Sequence, residues 1–126
     1  SGSFDVVMAV DMLHHTDDPI AVLGECARVA GRFVLLKDHK CDSFYDKWRL
    51  TLLDWFGNRP FGIPMTYNFL SSTQWHNAYH VLGLNCIKEI GCLEICPKPF
   101  YYPFDHDLHF IAKLAVAGKD ATIAPA

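Results

Sequence analysis

The chain has 126 residues, of which 51% are hydrophobic and 20% charged, and its formal net charge is −3. That length allows one domain, able to bury about two-thirds of the surface its unfolded chain exposes. The charge balance excludes a basic surface for nucleic acid or acidic lipid, and no apolar run approaches the ~20 residues of a membrane-crossing helix.

Phe4 to Val10, FDVVMAV, reads as a strand that is apolar on both faces. Such a strand belongs inside a sheet covered on both sides, as in parallel α/β folds. Thr16 or Asp17 is placed to cap a helix, and Pro19 suits its first turn, where a missing N–H costs nothing. The helix runs to about Val29, burying Ile20, Val22, Leu23, Cys26, Ala27 and Ala30, with Gly31 as its C-terminal cap. Phe33 to Asp38 is a second buried strand, which completes a βαβ unit. Ser43 to Phe56 is helical, with Gly57 as the stop, and Phe44, Trp48, Leu52, Trp55 and Phe56 form one apolar stripe. Asn58 to Asn68 is a long loop, and loops of that length tend to be functional. Ser71 or Ser72 caps a further helix that presents Trp75, Ala78, Tyr79 and Leu82, with Gly83 after it. Asn85 to Cys96 and Asp107 to Ala115 are two more strands, joined by the aromatic connection PKPFYYPFDH. Residues 118–126 are expected to be a flexible tail.

Five cysteines, Cys26, Cys41, Cys86, Cys92 and Cys96, cannot all pair with one another. None forms a C-x-x-C, so neither a zinc knuckle nor a thioredoxin-type motif is present. Reduced, buried thiols in a cytoplasmic protein are the plain reading.

The most chemical stretch is DMLHHTDDP, residues 11–19. Ligands in open α/β sheets sit outside the carboxyl ends of the strands. Asp11 to His15 stand at that edge after the first strand, and Asp38 and His39 after the second. Asp17 and Asp18 at a helix start are explained by capping and the helix dipole alone. A metal held by His14, His15, Asp38 and His39 is set aside, because neighbouring histidines on an extended chain point in opposite directions. No metal is assigned.

The order of elements resembles the second half of a class I S-adenosylmethionine-dependent methyltransferase. FDVV followed by LHHTDDP resembles the fourth strand of that family and its turn, and ECARVAGRFVLLKD resembles the next helix and strand. FLSSTQWHNAYHVLGL resembles the last helix, and the strands around ICPKPF and DLHFIAKL resemble the terminal antiparallel pair. The resemblance implies an α/β, partial Rossmann-like methyltransferase fold of about four strands, a parallel pair plus a terminal antiparallel pair, with flanking helices. A single domain would span residues 3–117, with 41–69 as an inserted helix and lid loop.

The same resemblance implies site residues. Asp11, Met12 and Leu13 would flank the cofactor, and His14 or His15 would face the substrate and take a proton from it, as an imidazole does well near neutrality. Asp38, His39, Trp48, Tyr67 and Asn68 would contact the substrate. Trp48 also fits plain helical packing, and His106 and His109 flank the final strand. The family's glycine-rich turn is missing, since no G-x-G occurs, and only glycine lets backbone approach such a ligand closely. The expected activity is methyl transfer to a small molecule, with S-adenosylmethionine the cofactor of the complete fold and held weakly or not at all by this chain alone. A strand 4–10 without a neighbour would be an adhesive edge. It would be filled by a second copy in a homodimer or by an N-terminal half. A non-catalytic, oligomeric interaction module is the alternative.

Overall fold

The computed structural model describes residues 2–62, 69–91, 93, 98 and 108–118. The elements are β1 (Phe4–Val10), a 3-10 turn (Leu13–His15), α1 (Pro19–Val29), β2 (Ala30–His39), α2 (Phe44–Asn58), a second 3-10 turn (Arg59–Phe61), α3 (Ser72–Val81), β3 (Leu84–Gly91) and β4 (His109–Val116). Among the described residues they build one sheet of order β1-β2-β4-β3. β1 and β2 run parallel, whereas β4 is antiparallel to both β2 and β3. The expected α/β class, with a parallel pair and antiparallel terminal strands, is therefore present.

The registers set the two faces of the sheet. Ala9, Leu36, Ala112 and Glu89 lie in one row across it, and Val10, Lys37, Ile111 and Ile90 in the next. Successive residues of a strand point to opposite faces, so these rows face opposite ways. On the first face Ala9, Val34, Leu36, Ala112, Leu114 and Phe110 are buried, joined by Leu23 and Ala27 of α1 and Trp75 and Tyr79 of α3. On the second, Met8 is 66% and Val10 52% exposed. Here a recess of ≈ 370 Å³ lies between Met8, Val10, Leu35 and Ile111. This open face departs from the expectation of a β1 covered on both sides, and β1 is an edge strand among the described residues.

The helix starts follow the residues that cap them. Asp18, not Thr16 or Asp17, caps α1: its carboxylate accepts the Ala21 N–H at 2.9 Å, and Pro19 follows at the first helical position. Ser71 and Gln74 form a reciprocal capping box on α3, the hydroxyl accepting the Gln74 N–H at 3.2 Å and the amide oxygen accepting the Ser71 N–H at 2.8 Å. Gly83 takes φ +65 just beyond α3, a left-handed turn that glycine adopts freely.

Several sequence expectations are corrected. Gly31 is not a helix cap: α1 ends against Ala30, whose N–H reaches the Cys26 carbonyl, and β2 starts at once. Gly31 instead lets β1 come close, since a Cβ there would lie 3.2 Å from the Phe4 carbonyl oxygen. Ile20 is exposed, not buried, being on the outer flank of α1. Helix α2 continues through Gly57 to Asn58. Its aromatic stripe is not packed inside: among the described side chains of α2 Arg49 and Leu50 are buried, while Phe44, Trp48, Trp55 and Phe56 are exposed. β3 is described to Gly91, and Cys92, Cys96, His106 and the residues 119–126 lie outside the described residues.

Candidate functional site

The carboxyl ends of β1 and β2 converge with the start of β4. Val10 is the last residue of β1, and Asp11 then takes φ 48, in the left-handed region. Its N–H still reaches the Lys37 carbonyl at 2.8 Å, and its carboxylate holds the Lys37 ammonium at 2.5 Å. The chain next coils into the Leu13–His15 turn, closed by the Thr16 N–H on the Leu13 carbonyl at 3.0 Å. Asp and Asn tolerate the left-handed conformation better than most residues, which lets the strand turn sharply here.

Asp38 anchors that turn from β2. Its Oδ2 accepts the Leu13 N–H at 3.1 Å, and its Oδ1 accepts the His39 N–H at 2.8 Å and lies 2.6 Å from His14 Nδ1. Burial alone would raise its pKa, but the neighbouring His14 and His39 rings and the His39 backbone N–H outweigh burial and hold the carboxyl below the usual carboxylate range. An ionised carboxylate with no exposure needs such donors, since an unpaired buried charge is costly.

Around this carboxylate stands a group of imidazoles. His39 Nδ1 is 3.4 Å from His14 Nδ1 and 3.6 Å from Asp38 Oδ1. His109 lies opposite His39 in the register, with ring centroids 4.5 Å apart, and its Nδ1 is 3.3 Å from Lys37 Nζ. Phe69 stacks on His14 at 5.6 Å, and the Trp75 indole N–H donates to the His39 carbonyl at 3.0 Å. The His15 ring sits 4.1 Å from that of His14, and its buried Nδ1 meets no partner among the described residues.

The structure thus brings Asp11, Leu13, His14, His15, Asp38 and His39 together, with Met12 exposed beside them. His14 is only 3% exposed. Trp48 stands apart, 56% exposed and stacked on Tyr45 at 6.2 Å. Tyr67 and Asn68 lie outside the described residues. Lys37, Phe69 and His109 were missed as members of the cluster. His109 carried a signal in its position at the head of the last strand, but only the β2–β4 register sets it against His39. The premise used to set a metal aside also changes: His14 and His15 lie on a 3-10 turn, not an extended chain. Two groups, His14–Asp38–His39 and Asp11–His39–His109, hold donor atoms within 4.8 Å of one another.

Comparison with known proteins gives this geometry a family context. Residues 1–34 match the family model described as a methyltransferase domain. Magnesium protoporphyrin IX methyltransferase from Synechocystis PCC 6803, solved with bound SAH, is similar at 18% identity and TM-score 0.57, covering 93% of this chain and 47% of that one. A methyltransferase of Haloferax volcanii, in complex with the activator Trm112, is similar at 20% identity and TM-score 0.56, covering 92% and 55%. A methyltransferase of Bacillus halodurans C-125 gives 14% identity and TM-score 0.51, covering 90% and 70%. The chain spans about half the length of the first two, at 47% and 55%. No curated protein sequence matches it significantly. With its partial Rossmann-like sheet the chain shares the fold of these methyltransferases, and its residues 1–34 resemble the corresponding part of a methyltransferase domain.

Proposed function

We propose that the chain corresponds to the C-terminal portion of a S-adenosylmethionine-dependent methyltransferase acting on a small molecule. The observation that supports this most is the turn Asp11–His15, pinned by Asp38 at the carboxyl ends of two parallel strands, where α/β folds bind their ligands. The residues present fit only part of the cofactor. Asp11, Met12 and Leu13 offer it a flank, but the sequence holds no G-x-G turn of the kind that follows the family's first strand and admits backbone closely. Bound to a complete fold, the cofactor would supply the methyl group.

His14 and His15 divide the remaining work. His15, less buried than His14, is the group to take a proton from the acceptor. His14, held by Asp38, sets the position of the turn that carries it. Asp38 and His39 would border the acceptor, while Trp48, Tyr67 and Asn68 are carried as acceptor contacts on the sequence resemblance alone. The exposed β1 edge and open face fit a homodimer paired through residues 4–10, or a further half of the fold laid along β1. The Haloferax relative held by its activator is a precedent for a second polypeptide on such a fold. We place the protein in the cytoplasm; no described helix is long and apolar enough to cross a membrane.

The alternative, a non-catalytic interaction module, is favoured by the same open face. An NMR titration with S-adenosylmethionine separates the two. Shifts confined to Asp11–His15 and Asp38–His39, growing into the millimolar range, are the expected result. No response at millimolar ligand leaves the module as the reading.

A further inference from the structure

The buried cluster raises a problem of protons. His14 Nδ1 lies 2.6 Å from Asp38 Oδ1, a length at which the imidazole donates its Nδ1 proton to the carboxylate. His39 Nδ1 then faces that same nitrogen at 3.4 Å, whose proton is already committed, and the same oxygen at 3.6 Å, too far for a hydrogen bond. His39 is 6% exposed, so water is not a ready substitute. Three lone pairs, from two imidazoles and one carboxylate, thus converge on a space that a single proton serves poorly.

The geometry points to a divalent transition-metal ion, of which zinc is the first choice, held by His14 Nδ1, His39 Nδ1 and Asp38 Oδ1. Two histidines and one carboxylate are a recurrent donor set for such ions. With bonds of about 2.0–2.2 Å, tetrahedral ligands stand about 3.3 Å from one another. The separations here are 2.6, 3.4 and 3.6 Å, so two pairs already fit within a few tenths of an ångström and the third needs only to open. Three protein ligands leave a position for water or for a ligand's oxygen. The carboxylate is already oriented by the Leu13 and His39 N–H groups, the outer-shell support that metal ligands need.

The second donor group is not a rival. Asp11 and His109 share the Lys37 ammonium, at 2.5 and 3.3 Å, so a cation from the chain itself serves them. Among the described residues no such cation stands against Asp38 or His39. The proposal does not rest on methyl transfer, because the three ligands belong to β2 and its neighbouring turn whatever else binds.

Calorimetric titration of the metal-free chain with Zn²⁺, and visible absorption with Co²⁺ as the probe, test it. One ion per chain is expected, with the intense visible bands of low-coordinate Co²⁺. His39→Gln should weaken binding at least about 100-fold with its circular dichroism kept, whereas His109→Gln should change it little. Should His39→Gln fail to fold, ring-nitrogen NMR of the intact chain decides, since Zn²⁺ must shift Nδ1 of both His14 and His39. No saturable Zn²⁺ binding, undiminished binding in folded His39→Gln, or thiolate-to-Co²⁺ charge-transfer bands placing the ion on cysteines would each overturn the proposal. Zn²⁺ binding without any response to S-adenosylmethionine would sink the methyl-transfer reading and leave this one standing.

Discussion

The two faces of the sheet are built from the same strands and treated oppositely. On β4, Leu114 and Ala112 are wholly buried beneath helices, while Ile111, next to Ala112, is exposed. On β1, Ala9 is buried and its neighbours Met8 and Val10 are among the exposed apolar residues. Hydrophobic content alone therefore does not decide burial; the presence of α1 and α3 on one side does. The covered face holds the fold together, and the open one presents apolar side chains of the kind that mark interaction surfaces.

Substitutions that report on each face test this contrast. Leu114→Ala should have the largest effect, a loss of about 2–5 kcal/mol in urea denaturation, because it empties a site that packing closes on every side. Acid comes next. Asp38 stays ionised in the folded chain to lower pH than in the unfolded chain, so its contribution is full above the ordinary carboxylate pKa of about 3.9 and declines as pH drops below it. Denaturation midpoints taken with a chelator present should show this decline, and Asp38→Asn should flatten it. Ser71→Ala removes half of the box that starts α3 and should cost about 1 kcal/mol by thermal melting. The smallest change in stability, within about 0.5 kcal/mol, is expected for Met8→Lys on the open face. Light scattering should nonetheless show that variant to be less associated than the parent; an unchanged mass would mean that this face is not where copies meet.

Local signals carried most of the fold. β1 and the βαβ order were legible from an apolar run, a Pro19 start and a second run, and α3 from a serine cap at 71 or 72, the face carrying Trp75 and Tyr79, and Gly83. What escaped was set by partners distant in sequence. Gly31 looks like a helix cap to its neighbours, but the approach of Phe4 explains it. The aromatic stripe of α2 has good helical spacing, yet spacing does not say whether anything lies against it. In the candidate site, Asp11 to His15, Asp38 and His39 were legible because strand ends collect function. Lys37 and His109 were not, since they join only through the placement of β4 against β2.

The bend at Asp11 has a consequence for relatives of this chain. A β-branched or bulky side chain would pay about 1–2 kcal/mol for that left-handed turn, so inheritance should keep Asp, Asn or Gly there. Of those three, only Asp also neutralises Lys37. An aspartate directly after the first strand, matched by a lysine directly before the Asp-His pair of the second, is thus a covarying signature by which sequences sharing this arrangement can be recognised.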